Sequence, residues 1–372
     1  MHKCIYVIDP RKHISRNSTA FERHKLYAQK LNEASLGKIR LTIVTFSFEK
    51  RSDYSDGELF FKSIQFQRLL FSKFTRGKES NFDKSVPSVV IAGDPWIAGI
   101  SALLVSTQIQ LNRNIQIQLH GDFGNPIWSK TNITNRIKFL IAKKVLRRAD
   151  QIRCVSQDQA TLAGKYLQVD SSRIIIAPVP MMLQSPSIFE ERIRKGIPTL
   201  GLVGRIQADR GLGTFLWLLR ELASANRMFE VEIIGSGPQR EWLERKFASD
   251  IPNVNVRFIG ELNSKEVGSY LRNIDVLVSC APAESYGRAI REALYKGVPV
   301  WTTATSGVSA LGEAINSGYV KIFDLKNDCL TLASQFDDLL SVKISRDFKS
   351  KIAIQDERNF ENIIQNWISI VD

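Results

Sequence analysis

Two glutamates in the second half of the chain, Glu284 and Glu292, are separated by seven residues. The surrounding segment, Val276–Thr303, has the pattern of a strand, a loop, a helix ending at Gly297 and a second strand. Each carboxylate can accept hydrogen bonds from a pair of neighbouring hydroxyls, as sugars present them. The unpaired N–H groups at a helix start favour an anion such as a phosphate. Together these features suit a sugar nucleotide.

We expect the helix to begin at Ser285, Tyr286 and Gly287, where the glycine allows a ligand to approach the backbone closely. Two glutamates at this spacing also occur on solvated helix faces. The interpretation therefore depends on the neighbouring segments.

Two such segments carry cations and glycines. The sequence GLVGRIQADRGLGTFLWLLREL predicts a strand, a loop with Arg205 and Arg210, and a helix. A guanidinium can bind phosphate oxygens with two donors, although exposed loop cations are the plain alternative. Further on, Gly235 and Gly237 in GSGP allow a tight turn and a close backbone approach, and an ordinary turn is the alternative there.

The first half offers His120, at the end of the predicted strand in NIQIQLHGDFG, and Asp122 two residues later. A histidine at a strand edge is often only a hydrogen-bonded structural residue. Both residues are candidates for contact with a substrate.

The motif from Glu284 to Glu292, with the exit Gly297-Val298-Pro299-Val300, resembles the E-x7-E donor motif of retaining GT-B glycosyltransferases, above all glycosyltransferase family 4, the glycosyl transferases group 1. The resemblance covers about residues 115–315 and is strongest from 200 to 305. It implies transfer of a sugar from a UDP- or GDP-sugar to an acceptor hydroxyl of a glycan or lipid-linked molecule, with retention of configuration. It also implies a role in cell-surface polysaccharide or glycolipid synthesis.

The resemblance further implies a role for each site residue. Arg205 and Arg210 bind the donor diphosphate, although the family usually has lysine at the second position. Glu284 orients the sugar hydroxyls and Glu292 binds the ribose. His120 contacts the donor sugar, and Asp122 is an acceptor-side candidate. The sequence has no Asp-x-Asp and no cluster with metal-ligand spacing, so we expect neither a metal nor a cofactor.

Short apolar runs alternate with helical patterns, which indicates an α/β protein with parallel sheets. The predicted strands are Cys4–Ile8, Arg40–Phe46, Ser88–Ala92, Ile115–His120, Gln151–Val155, Arg173–Ala177, Thr199–Val203, Phe229–Ile234, Val254–Ile259, Val276–Ser279, Val298–Thr302 and Val320–Phe323. The resemblance implies the GT-B fold, two doubly wound Rossmann-like domains facing across a cleft. We expect an acceptor-side domain over residues 1–180, a linker over 181–198, a nucleotide-sugar domain over 199–354, and a last helix over 355–372 that packs back on the first domain.

The net charge of +13 belongs entirely to residues 1–190, which contain 28 Lys and Arg against 15 Asp and Glu. Such a field attracts anionic lipid, nucleic acid or phosphorylated substrates. Phe60–Lys78 and Lys130–Arg148 have the pattern of helices with an apolar and a cationic side, which suits peripheral contact with an anionic membrane. A core helix with a solvated basic face is the alternative. No nucleic-acid-reading motif is present, and we expect no nucleic-acid partner.

The four cysteines are far apart, which favours a reducing compartment, and the first residues lack the apolar core of an export signal. We expect a cytoplasmic protein at the inner face of the membrane.

The opening loop departs from the resembled family because the chain has no glycine before Gly37. It offers Ser15, Asn17, Ser18 and Thr19, which can cap the helix that follows. This altered loop leaves a non-catalytic partner subunit open. A GT-B sugar-nucleotide epimerase or phosphorylase is a further alternative.

Overall fold

The computed structural model describes residues 2–14, 16, 18–49, 52–65, 88–109, 114–121, 126–130, 133–181, 183 and 196–371. The chain divides into two compact units. The first contains residues 1–179 and 358–372, and the second contains residues 180–357. Each unit is built on a mostly parallel sheet covered by helices. This is the GT-B architecture of two Rossmann-like domains, and the predicted fold class is confirmed.

The sheet of the first unit has eight strands in the order β3-β4-β2-β1-β5-β6-β7-β8. The strands are β1 (Lys3–Ile8), β2 (Ile39–Ser47), β3 (Tyr54–Asp56), β4 (Leu59–Gln65), β5 (Ser88–Ala92), β6 (Ile115–Gln118), β7 (Gln151–Cys154) and β8 (Ile174–Ile176). All neighbours are parallel except β3 and β4. The strand order reverses between β1 and β5.

Five helices of the first unit are α1 (Thr19–Ala34), α2 (Ile97–Ile109), α3 (Pro126–Lys130), α4 (Ile133–Leu146) and α5 (Gln157–Leu167). The strands β5 and β6 are buried along their whole length because helices cover both faces of the sheet. Separate hydrophobic clusters fill the two sides, one around Ile117 and Leu146 and the other around Ile43 and Leu31.

Two strands of the first unit, β3 and β4, were not predicted. The helical interpretation of Phe60–Lys78 is wrong for its first residues, because β4 runs parallel to β2 with Leu41 opposite Leu59. Along β4, Leu59, Phe61 and Ile64 are buried and the residues between them are partly exposed, and the continuous pairing with β2 defines the segment as a strand. The rest of that segment lies outside the described residues.

The second unit has a six-stranded parallel sheet in the order β11-β10-β9-β12-β13-β14. The strands are β9 (Thr199–Val203), β10 (Glu230–Ile234), β11 (Val256–Gly260), β12 (Val276–Ser279), β13 (Val300–Thr302) and β14 (Val320–Ile322). In chain order this is the 3-2-1-4-5-6 arrangement of a dinucleotide-binding fold, with its reversal between β9 and β12.

The helices described wholly within the second unit are α6 (Leu212–Ser224), α7 (Arg240–Asp250), α8 (Ser264–Tyr270), α9 (Arg288–Tyr295), α10 (Ser306–Ser309), α11 (Gly312–Asn316) and α12 (Cys329–Ser341). Trp301 on β13 is fully buried against Phe336 and Phe323. Its indole N–H donates to Gln335 Oε1 at 2.9 Å, so the largest side chain of this core carries no unsatisfied polar atom.

The last helix, α13, runs from Arg346 to Val371 and begins earlier than the sequence indicates. Its residues from Arg358 onward belong to the first unit, where Trp367 lies edge-on to Tyr27 and donates to Gln116. No helix in the described part of the chain has the length and apolar character needed to cross a membrane.

Candidate active site

The loops that follow β9 and β12 lie at the carboxyl edge of the second sheet, where the strand order reverses. The two strands are direct neighbours, with Leu277 opposite Gly201. Ligands of doubly wound sheets bind at such a reversal, because the two loops leave in opposite directions and open a crevice. Most of the predicted donor-site residues belong to these loops.

Arg210 and Glu284 meet across this crevice, although 74 positions separate them in the chain. The Arg210 guanidinium donates to Glu284 Oε2 at 3.0 Å, and the second carboxylate oxygen accepts from the backbone N–H of Gly287 at 3.2 Å. The side chains are 33% and 25% exposed, so solvent reaches the pair. The buried Nε of Arg210 has no hydrogen-bond partner among the described residues, which leaves a donor for an incoming anion.

The helix after this loop, α9, begins at Arg288, slightly later than the predicted start. Gly287 is its N-cap at φ 71°, and no side chain caps the helix there. Arg288, the first residue of the helix, donates to Oε1 of Glu292, which lies one turn further on, at 3.0 Å. Burial raises the pKa of Glu292, and the Arg288 cation acts in the opposite direction. The carboxylate is therefore held in a partly dehydrated site by one arginine.

Two glycines allow these loops to approach each other closely. A Cβ at Gly211, which has φ 68°, would lie 1.9 Å from the carbonyl oxygen of Cys280. A Cβ at Gly307 would lie 2.7 Å from the carbonyl oxygen of Glu284, which instead accepts the Gly307 N–H at 2.7 Å. The position of Glu284 thus depends on two glycines that the sequence did not single out.

Gly235 and Gly237 also lie very close to the backbone of another loop, the one that follows β9. A Cβ at Gly235 would lie 1.9 Å from the carbonyl oxygen of Gly204, and one at Gly237 would lie 2.3 Å from that of Ile206. Ile206 N also donates to Ser236 O at 2.8 Å. The close backbone approach inferred from GSGP is therefore made to the loop after β9. Contact of these glycines with a substrate stays a prediction.

The remaining predicted residues of this unit differ in exposure. Arg205 is exposed, and no described residue forms an ion pair with it. Ser285 is almost fully buried. The guanidinium of Arg291 lies 4.0 Å from the centre of the Tyr286 ring. Arg288 and Arg291 were not predicted, although the i, i+4 spacing of Arg288 and Glu292 could have signalled their pair.

In the first unit, His120 follows β6 and its Nε2 lies 3.1 Å from Gln118 Oε1. Desolvation in the surrounding pocket, followed by the charges of Arg153 and Arg23, lowers the pKa of His120. The lowered pKa favours the neutral imidazole, and the residue as a whole is exposed to solvent. Asp122 lies outside the described residues.

The opening loop achieves its turn without glycine. Lys12 has φ 56°, a conformation that glycine adopts more easily, and the Asp9 carboxylate accepts the N–H groups of His13 and Ile14 at 2.9 and 2.7 Å. Ser18 caps α1 by accepting the N–H of Phe21, which confirms the capping prediction at that residue. Ser15 and Asn17 lie outside the described residues, and Thr19 is the first residue of the helix.

Comparison with known proteins places the second unit in context. Residues 184–347 match the family model of glycosyl transferases group 1. A 2-deoxystreptamine glucosyltransferase from Streptomyces kanamyceticus is 28% identical over 200 residues, which are 51% of this chain and 51% of that protein. A 2-deoxystreptamine N-acetyl-D-glucosaminyltransferase from Niallia circulans is 31% identical over 113 residues, 30% of this chain and 29% of that protein. The matches thus span about half of the first of these curated relatives and less than a third of the second.

Solved structures resemble the whole chain. Sucrose-phosphate synthase from Thermosynechococcus elongatus has a TM-score of 0.67 at 14% identity, over 100% of this chain and 96% of its own. An Anabaena protein in complex with UDP-glucose has a TM-score of 0.65 at 15% identity, over 99% of both chains. At such identities the likeness shows the fold, which is GT-B.

Proposed function

We propose that the chain is a retaining hexosyltransferase of glycosyltransferase family 4. It moves a sugar from a UDP- or GDP-sugar to a hydroxyl of a glycan or lipid-linked acceptor, in cell-surface polysaccharide or glycolipid synthesis. The observation that supports this most strongly is the contact of Arg210 with Glu284 beside the start of α9. This contact lies where the strand order of the second sheet reverses, in a part of the chain that matches the family model of glycosyl transferases group 1.

The proposed catalytic step is the departure of the nucleoside diphosphate. Arg205 is an exposed cation, and Arg210 has a buried Nε with no partner among the described residues. The first N–H groups of α9 lie at a helix start that no described side chain caps. Donors that are already in place stabilise the charge that develops on the leaving phosphate without reorganising first. Glu284 holds Arg210 by one oxygen and retains lone pairs for sugar hydroxyls.

The remaining residues bind the donor. Glu292 binds the ribose hydroxyls, and its raised pKa reflects a partly dehydrated position in which hydrogen bonds are strong. His120 contacts the donor sugar as a neutral imidazole, and Asp122 is kept as an acceptor-side candidate. The reaction needs neither a cofactor nor a metal, so an excess of EDTA leaves the rate unchanged.

The test combines donor affinity with turnover. Calorimetric titration of UDP-glucose and GDP-mannose identifies the base, and the anomeric proton of the product reports retention. We expect Glu292→Ala to weaken donor binding about tenfold or more, because a hydrogen bond to a charged group contributes roughly 1.5–3 kcal/mol. Arg205→Ala mainly lowers turnover, by about 100-fold, as loss of a transition-state donor does.

Two exposed residues of α7 serve as matched controls, Glu241→Ala and Arg245→Ala. Both remove the same charges from a helix outside the crevice and leave affinity and rate unchanged. Wild-type affinity and rate in both Glu292→Ala and Arg205→Ala contradict the site assignment. Donor binding without hydrolysis or transfer favours a non-catalytic partner subunit, and interconversion of the sugar without an acceptor favours an epimerase.

We also propose that the first unit contacts an anionic membrane through α4. Ala142, Val145 and Leu146 of this helix are buried in the core. On its outer side Ile133, Ile137 and Leu140 are 77%, 53% and 56% exposed. Lysines and arginines accompany these apolar side chains, among them Arg136, Lys143 and Lys144. Such a combination suits the headgroup region of an anionic bilayer.

Vesicle sedimentation at low salt tests this contact. We expect binding to vesicles that contain phosphatidylglycerol and none to vesicles of phosphatidylcholine alone. Ile137→Glu with Leu140→Glu abolishes binding, because the charges oppose insertion and repel the anionic surface. Leu330→Glu, at a 74% exposed leucine of the second unit, is the matched control. Equal sedimentation of both variants removes the proposal.

A further inference from the structure

The first unit has a pocket of its own at the carboxyl edge of its sheet. Its volume is about 270 Å³, and every lining residue belongs to the first unit. The loops after β1, β5 and β6 contribute Asp9, Asp94 and His120, while α1 contributes Arg23 and His24. The strand order of this sheet reverses between β1 and β5, so the pocket occupies the position at which a doubly wound sheet binds a ligand.

A buried cation forms one wall of this pocket. Arg153, on β7, is only 3% exposed. Its Nε donates to the carbonyl of Ala177 at 2.7 Å and its Nη2 donates to that of Pro178 at 3.0 Å. No carboxylate of the described residues lies within ion-pair distance of it. Buried charges are normally paired, because dehydration of an isolated charge is costly. Arg153 therefore carries a charge that no carboxylate in the described part of the chain neutralises directly.

The other charged groups of the pocket do not balance Arg153. Burial lowers the pKa of Arg153 most, the hydrogen-bonded Tyr27 beside it raises that pKa, and the nearby Arg23 cation lowers it further. The two acids of the lining are engaged elsewhere. Asp9 accepts the backbone N–H groups of His13 and Ile14, and Asp94 accepts those of Trp96 and Ala98. The pocket thus combines three arginines, Arg11, Arg23 and Arg153, with carboxylates that accept hydrogen bonds from backbone N–H groups of its own loops.

His24, which also lines the pocket, responds to the same positive charge. The pKa of His24 falls to about 3, through burial and then through Arg23, with a smaller contribution from Arg153. His24 holds its Nδ1 at 2.7 Å from the carbonyl oxygen of Ala20. The Nδ1–H therefore donates to that carbonyl. An anion placed between the two arginines would relieve these repulsions, whereas a neutral ligand would not.

We propose that this pocket binds an anionic group, a phosphate monoester or a carboxylate, between Arg153 and Arg23. In combination with the proposed glycosyl transfer, on which this step rests, the group belongs to the acceptor, so the acceptor is a phosphorylated or acidic sugar or lipid. A guanidinium recognises both groups through paired N–H donors.

Titration of the full-length chain with small probes tests the pocket. The probes are glucose 6-phosphate, glucuronate and glucose. We expect the first two to bind at least tenfold more tightly than glucose. The comparison of glucose 6-phosphate with glucuronate tells a phosphate acceptor from a carboxylate acceptor. Arg153→Gln and Arg23→Gln each lower the affinity for the anionic probes by tenfold or more. Arg148→Gln, at an exposed arginine of the same unit, binds them as the wild type does.

Two further variants separate the possible outcomes. Arg153→Gln also removes the hydrogen bonds to the carbonyls of Ala177 and Pro178, and the variant can fail to fold for that reason. In that case the affinity of Arg23→Gln for the anionic probes tests the proposal, because Arg23 is partly exposed and its replacement leaves those hydrogen bonds in place. Arg205→Ala tests whether the probes bind at the donor site instead. Loss of binding in Arg205→Ala alone, or wild-type affinity in Arg23→Gln, overturns the pocket assignment and leaves the proposed transferase intact. A pocket that binds these probes in a chain without donor affinity refutes the transferase and keeps the anion site.

Discussion

Replacement of Gly211 by alanine tests how the donor site is constructed. Gly211 lies between Arg210 and α6 at φ 68°, and a Cβ there would lie 1.9 Å from the carbonyl oxygen of Cys280 and 2.6 Å from its carbonyl carbon. Both neighbours are backbone atoms of the loop that leads to Glu284. The loop can only yield by moving as a segment, so the change acts on the site without altering any of its side chains.

The expected magnitude has two parts. The left-handed conformation costs an alanine about 1–2 kcal/mol. An added methyl group in a packed region costs a further 1–3 kcal/mol, roughly, through forced backbone shifts. We therefore expect Gly211→Ala to lower the free energy of unfolding of the second unit by about 2–5 kcal/mol. Donor affinity should fall as well, because the contact of Arg210 with Glu284 is displaced.

Hydrogen–deuterium exchange of peptides from residues 199–357 in increasing urea measures the stability of the second unit. Calorimetric titration with UDP and GDP gives the affinity. Gly213→Ala is the matched control, because this glycine lies two residues further on in the first turn of α6 and a Cβ there would meet nothing within 4 Å. Alanine at that position stabilises the helix by roughly 0.5–1 kcal/mol. If Gly211→Ala unfolds at the same urea concentration as Gly213→Ala, the close approach of the two loops is refuted.

Three predictions concern the first unit and its pocket. Asp9→Ala leaves two backbone N–H groups without an acceptor, so chemical denaturation should show a loss of about 2–4 kcal/mol, and an unchanged midpoint contradicts the loop structure. Lys12→Gly relieves a left-handed lysine and should raise the thermal midpoint, with a gain of up to about 1 kcal/mol, whereas Lys12→Ala should not. The folded pKa of His24 is depressed to about 3, so the unfolded chain binds the proton first, and stability is full above pH 6.5 and falls as the pH drops towards 3. Between pH 6 and 4 the free energy of unfolding of the wild type, measured by urea denaturation, should fall more than that of His24→Gln, by at most about 1.4 kcal/mol per pH unit, and parallel curves contradict the shift.

Sequence alone located much of the fold because buried parallel strands are continuous apolar runs. Ser88–Ala92, Thr199–Val203 and Val276–Ser279 have the same bounds in the structure as in the prediction. The strand Leu59–Gln65 was missed, because its aromatic and basic residues also fit a helix and only its pairing with β2 distinguishes the two. Short apolar runs of this kind are ambiguous until their neighbours in the sheet are known.

The site was predictable in its side chains and less so in its backbone. The motif indicated Glu284 and Arg210, and their contact follows from the neighbouring positions of β9 and β12. The requirements for Gly211 and Gly307 were not predictable, because the atoms that exclude a side chain there belong to distant backbone segments. The use of Lys12 at a left-handed position was equally hidden, since nothing in the sequence marks it.

The burial of Trp367 has a consequence for how the chain matures. This indole is 2% exposed and fills space beside Tyr27 and Gln116, which are made more than two hundred residues earlier. During synthesis of the second unit, the hydrophobic core of the first unit lacks the Trp367 side chain, and the apolar surface around Tyr27 is exposed to water. A fragment that stops at Val179 should therefore aggregate and require chaperones to stay in solution. Addition of α13 as a separate peptide should restore its solubility.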